Sequence, residues 1–185
     1  GNFCGVIETT QIINDRVEAM DKIRGLLRDA SLRNQKLKEW RRNFDFELDV
    51  ARQIQRALVP QESFCRKGIC FEFLYQPTGS VGGDLYDVVP LDDHHTGILI
   101  ADASGHGVGA AFIAVMIKIV FRSYMIDKTS PAGALEAVNK HLLQVMPNGQ
   151  FATAFYGIYD AAENEMLFSR AGHPMPLLAR GDSGE

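Results

Sequence analysis

From Asp15 to Leu58 charged and apolar residues alternate without a proline, and Gly25 is the single glycine, so the spacing predicts one long helix. Ile23, Leu27, Ala30, Asn34, Leu37, Arg41, Phe44, Leu48 and Ala51 step by four and three in alternation, the a/d repeat of a coiled coil. Asn34 and Arg41 fall on that seam, where polar residues weaken pairing while fixing its register. The repeat therefore predicts a parallel dimer suited to passing a signal. After Ala51 the apolar steps become Ile54 and Leu58, and a step of three overwinds a coiled coil, which places the end of the seam there.

Pro60 stops the helical pattern, and β-rich segments follow over 69–76, 84–90, 96–102, 151–159 and 164–170. Two helices lie among them. The stretch 107–126 is apolar on almost every side and should be buried, whereas 131–146 opens with Ser130 as N-cap and Pro131 at the first helical position. Strands that neighbour in sequence predict an α+β domain with antiparallel pairing rather than a βαβ repeat. Ahead of the long helix, residues 1–14 carry Phe3, Val6, Ile7, Ile12 and Ile13 and read as a strand whose partners lie upstream, because a lone strand leaves its edge unpaired.

Three parts result: 1–14, the linker helix 15–58, and a domain over 59–185. The run GNFCGVIETTQIIND resembles the last strand of a PAS-type sensor, which makes 1–14 the end of an upstream sensor domain. The first residue is not Met, so a longer parent protein is expected.

With 46% hydrophobic and 23% charged residues and a formal net charge of −4, the 185-residue chain gives no electrostatic reason to expect nucleic acid or an anionic membrane as partner. No apolar run reaches the roughly 18 residues that span a bilayer. Cys4, Cys65 and Cys70 form no CxxC pair and leave one thiol over in any pairing, so reduced cysteines and a cytoplasmic location are expected.

The candidate chemistry lies in VGGDLYDVVPLDDHHTGILIADASGHGVGAAF. A five-residue hairpin loop at 91–95 makes Asp84 face Asp102. Two carboxylates so placed repel, their Cβ atoms about 4.5–5.5 Å apart, unless a cation sits between them. Oxygen ligands without a His or Cys cluster point to Mg²⁺ or Mn²⁺ rather than Zn²⁺. Gly82 and Gly83, and Gly105 and Gly107, permit close backbone approach or positive φ beside the two aspartates. Asp87 alternates to the opposite face and reads as structural, Asp92 and Asp93 as turn formers, and His94 and His95 as solvated loop residues. His106 reads as a polar group at a helix start and His173 as a turn-ordering residue.

GGDLYDVV, ILIADASGHGVGAAF, FATAFYGIYD and FSRAGHPMPLLA, preceded by ELDVARQIQRALVP, resemble in order and spacing the bacterial PPM (type 2C-like) serine/threonine phosphatases that regulate sigma-factor partner switching. The match covers about residues 46–180. The resemblance implies two packed antiparallel sheets flanked by helices, an α-β-β-α sandwich. It implies a two-metal Mn²⁺ or Mg²⁺ site with Asp102 bridging, Ala103 giving its carbonyl, and Asp84 binding directly or through water. The implied substrate is a phosphoserine or phosphothreonine on an anti-sigma-factor antagonist.

Family members continue past AGHPMPLLAR to a TDG-type motif and a final aspartate, whereas this chain ends GDSGE, and Asp182 lacks the strand context of that motif. An incomplete C-terminus and one weak or empty metal site are expected. The competing expectation is a phosphatase-fold interaction module without turnover. A nucleotide cyclase, suggested by GGD alone, fails because Leu85 stands where that family needs an acidic residue.

Overall fold

A computed structural model of the chain describes residues 2–77, 79–125 and 130–179. It divides into two compact units, Gly1–Glu47 and Leu48–Glu185. The elements are α1 (Asn2–Leu58), β1 (Phe64–Arg66), β2 (Ile69–Phe71), β3 (Asp84–Pro90), β4 (His95–Ala103), α2 (Val108–Tyr124), α3 (Pro131–Val145), β5 (Ala152–Asp160) and β6 (Glu165–Ala171).

The strand expected within residues 1–14 is not there, since α1 already begins at Asn2. Without a neighbouring strand, the backbone of this segment can satisfy its own hydrogen bonds only within itself, and a helix does so. In the first unit the seam side chains Ile23, Leu27 and Leu37 are more than half exposed. Trp40 stacks on Phe44 with ring centroids 5.4 Å apart.

In the second unit both sheets are antiparallel: a four-stranded one ordered β3-β4-β5-β6 and a two-stranded hairpin β1-β2. Alternation gives the larger sheet two faces. Leu85, Leu99, Ala101, Tyr156 and Ile158 pack in one core with Ile113, Ile117 and Phe121 of α2 and Leu135, Val138 and Leu142 of α3. The apolar sequence of α2 is explained by this burial. Ser130 caps α3 as expected, its Oγ accepting from Gly133 N at 3.0 Å.

The extended stretch expected over 69–76 closes early, at Phe71, and forms a hairpin with β1, which the sequence pattern did not single out. Cys65 and Cys70 are facing positions of that hairpin and are joined by a disulfide, so the expectation of reduced thiols is corrected for this pair. The tight turn through Lys67 and Gly68, both at positive φ, brings them together. Among the described residues no helix is long and apolar enough to cross a membrane.

Candidate metal centre

Strands β3 and β4 pair so that Asp84 faces Asp102, the register expected from the loop between them. Leu85 and Ala101 at the neighbouring positions point into the core, so both carboxylates stand on the sheet face away from the helices. Burial, and then the facing Asp102, push the Asp84 carboxyl above its ordinary value, while His173 pulls it the other way. The like-charge conflict is therefore built into the strand pairing.

Ala103 continues the pairing, its N–H donating to the Gly83 carbonyl at 3.1 Å. Its own carbonyl lies against Gly83 so closely that a Cβ at that position would overlap the oxygen. The glycine before Asp84 is thus needed for close approach. Gly105 and Gly107 both take positive φ, at 92° and 74°, where β4 turns toward α2.

The donors fit a hard divalent cation in part. Two facing carboxylates and a backbone carbonyl are oxygen-only ligands, and Mg²⁺ commonly takes one or two carboxylates and keeps several waters. Among the described residues no group of three or more His, Cys, Asp or Glu assembles, so the two-metal complement is not filled by side chains there. Asp182 lies outside the described residues.

Other candidates separate cleanly. Asp87 is 1% exposed and accepts from Arg122 Nε at 2.8 Å and pairs with Lys118 Nζ at 3.0 Å, on the face opposite Asp84 as expected. Asp92 forms its turn by accepting from the His94 and His95 backbone N–H groups. His95 departs from the solvated reading, since its ring lies between Asp92 at 2.9 Å and Asp160 at 3.5 Å. His106 is exposed beside the Ser104–Gln150 hydrogen bond of 2.9 Å.

The sequence reading gave His173 no part in the site, and the structure brings it there. Thr153 faces Asp102 across β4 and β5, and its hydroxyl meets His173 Nδ1 at 2.9 Å. Arg170 fixes the same residue by donating to its carbonyl at 2.8 Å, and Gly172, at φ 69°, turns the chain in front of it. The available signal was the proximity of AGHP to the end of β6.

The fold resembles the SiaA-PP2C domain of Pseudomonas aeruginosa, with a TM-score of 0.61 and 22% identity, covering 71% of this chain and 54% of that one. In sequence, the phosphoserine phosphatase RsbP of Bacillus subtilis is 29% identical over 150 residues, 79% of this chain and 37% of the relative. Protein IcfG of Synechocystis sp. is 25% identical over 154 residues, 69% of this chain and 24% of its own length. The chain thus spans well under half of either relative. The fold is thus that of a PP2C-type domain, and the sequence is similar to that of a phosphoserine phosphatase. More narrowly, the chain belongs to the Stage II sporulation protein E (SpoIIE) family, which matches residues 92–185. That span contains Asp102 and Ala103, with Asp84 just upstream.

Proposed function

We propose that this chain is a divalent-cation-dependent protein phosphatase domain that hydrolyses a phosphoserine or phosphothreonine on a regulatory partner, with an anti-sigma-factor antagonist as the expected substrate. The observation that carries the reading is the facing pair Asp84 and Asp102 beside the Ala103 carbonyl. The resemblance to a phosphoserine phosphatase supports the substrate class.

In this reading Asp84 and Asp102 hold Mn²⁺ or Mg²⁺, Ala103 contributes its carbonyl, and water completes the coordination. Bound there, the cation would lower the pKa of water and neutralise charge on the phosphoryl oxygens. The chain itself fixes the geometry: paired strands hold the two carboxylates, Gly83 lets the Ala103 carbonyl approach, and Thr153 anchors the His173 ring beside them. In the net reaction a water oxygen bonds to phosphorus, the bond to the serine or threonine oxygen breaks, and that oxygen leaves with a proton. Helix α1 would pair with its counterpart in a second copy and connect to an upstream sensor, in a cytoplasmic protein.

Phosphate release from a phosphoserine protein, assayed with Mn²⁺ and with chelator, tests the reading. Release that requires Mn²⁺ and is lost in Asp102→Asn is expected. The lack of a three-residue ligand group among the described residues favours a second reading, a phosphatase-fold module that binds a phosphoprotein without turnover. Tight phosphoprotein binding with no Mn²⁺-dependent release would select it.

A further inference from the structure

Gln55, in the last turn of α1, is one of few buried polar side chains, 5% exposed. Both ends of its carboxamide engage one residue: Nε2 donates to the Gly82 carbonyl at 2.5 Å, and Oε1 accepts from the Gly82 N–H at 3.1 Å. Arg52, three residues earlier and so on the same helix face, donates from Nε to the Ser80 carbonyl at 2.9 Å. The two side chains hold the segment that leads into β3.

The N–H and C=O of Gly82 belong to the two peptide planes on either side of its Cα, so a carboxamide bonded to both fixes their relative rotation. Nothing else in the local sequence would. Gly82 and Gly83 have no side chains to restrict them, and glycine loses more conformational freedom on ordering than any other residue. Gly83 carries the contact with the Ala103 carbonyl, and Asp84 follows it directly. From Gln55 to the facing carboxylates the path is therefore two residues long.

We infer that Gln55 is a positioning residue for the metal centre: it sets the Gly82–Gly83 backbone and thereby places Asp84 and the Ala103 carbonyl for a divalent cation. The inference rests on the metal-site reading above. Partners that orient metal ligands typically change affinity 10–100-fold when removed. Gln55 touches no candidate ligand and acts through backbone alone.

The test uses this chain with Gln55→Leu, Gln55→Glu, Asp102→Asn and the core truncation Leu135→Ala, whose site in α3 lies among apolar neighbours. Calorimetry gives Mn²⁺ affinity, thermal melting in chelator gives stability, and hydrogen exchange in chelator reports the Gly82 amide. Gln55→Leu should bind Mn²⁺ about tenfold or more weakly, with the Gly82 amide losing protection. Gln55→Glu keeps an acceptor for the Gly82 N–H but has no donor for its carbonyl, so it should fall between. If Gln55→Leu fails to fold, Gln55→Glu bears the same comparison. Leu135→Ala should melt lower and keep its Mn²⁺ affinity within about twofold, because it leaves the ligands' supporting partners intact.

Wild-type affinity in Gln55→Leu, alongside lost binding in Asp102→Asn, would overturn the inference and leave the metal site standing. Equal losses in Leu135→Ala and Gln55→Leu would also overturn it, by showing that general destabilisation is enough. Unchanged binding in Asp102→Asn would remove the site itself, and the inference with it.

Discussion

At the scale of the residue, Asp84 carries the electrostatic cost of the centre. Its folded-state pKa lies above its unfolded value, first through burial and then through Asp102. A group raised in this way contributes stability that is fully present below the ordinary aspartate range and is lost as pH rises through the raised value. In chelator the melting temperature should therefore fall as pH climbs out of the acid range, and Asp102→Asn should flatten that slope in a calorimetric pH series. Excess Mn²⁺ should reverse the loss, by about 2.7 kcal/mol at a free concentration 100 times its Kd. Gly83→Ala forces a methyl group against the Ala103 carbonyl, an overpacking that typically costs about 1–3 kcal/mol, readable as a lower denaturation midpoint with weakened Mn²⁺ binding. The Asp84–Asp102 pairing was legible in the sequence because a short hairpin loop fixes which residues meet. His173 was not, because its place depends on a bond to Thr153 on another strand. Gln55 was hidden for the same reason, since a glutamine at a helix end looks like any solvated side chain until the loop it holds is known.

At the scale of the element, periodicity carried most of the information. The four strands of the larger sheet and both short helices lie within a residue or two of their expected bounds, since each is an apolar-rich run set off by turn or capping residues. What the pattern missed is short or borderline. Strand β1 has three residues, too few for a period, and the disulfide between facing Cys65 and Cys70 needs a hairpin that no spacing rule announced. Replacing both cysteines with serine should lower stability by about 2 kcal/mol, measured by urea unfolding. Helix α2 is fastened to β3 by charge as well as by packing, since Asp87 takes both Lys118 and Arg122, and Lys118 also donates to the Leu58 carbonyl. Burial lowers the pKa of Lys118 while Asp87 opposes that shift. Asp87→Ala would leave the lysine buried without its counter-charge, at a cost of about 3–5 kcal/mol in the same unfolding experiment.

At the scale of the whole molecule, the seam side chains Ile23, Leu27, Leu37 and Phe44 of α1 are exposed in the single chain, which is what a partner helix would cover. The seam also holds Asn34 at a position where an apolar residue would pair better. Asn34→Leu should tighten self-association, by about 1.5 kcal/mol if the new side chain becomes fully buried, as measured by sedimentation equilibrium. A chain that stays monomeric in both forms would remove the dimer from the proposal.

The hairpin between β3 and β4 works as a counter. Side chains in a strand alternate with a period of two, so a one-residue shift in the register of β3 against β4 would put one aspartate on the opposite side of the sheet from the other. A change of two restores the side but gives each carboxylate a different neighbour. Register is thus a parity condition on the cation site, and the buried side chains of both strands hold it: a single-codon insertion that the loop absorbs leaves the centre intact, and one that shifts the register silences it without altering any residue that lines it.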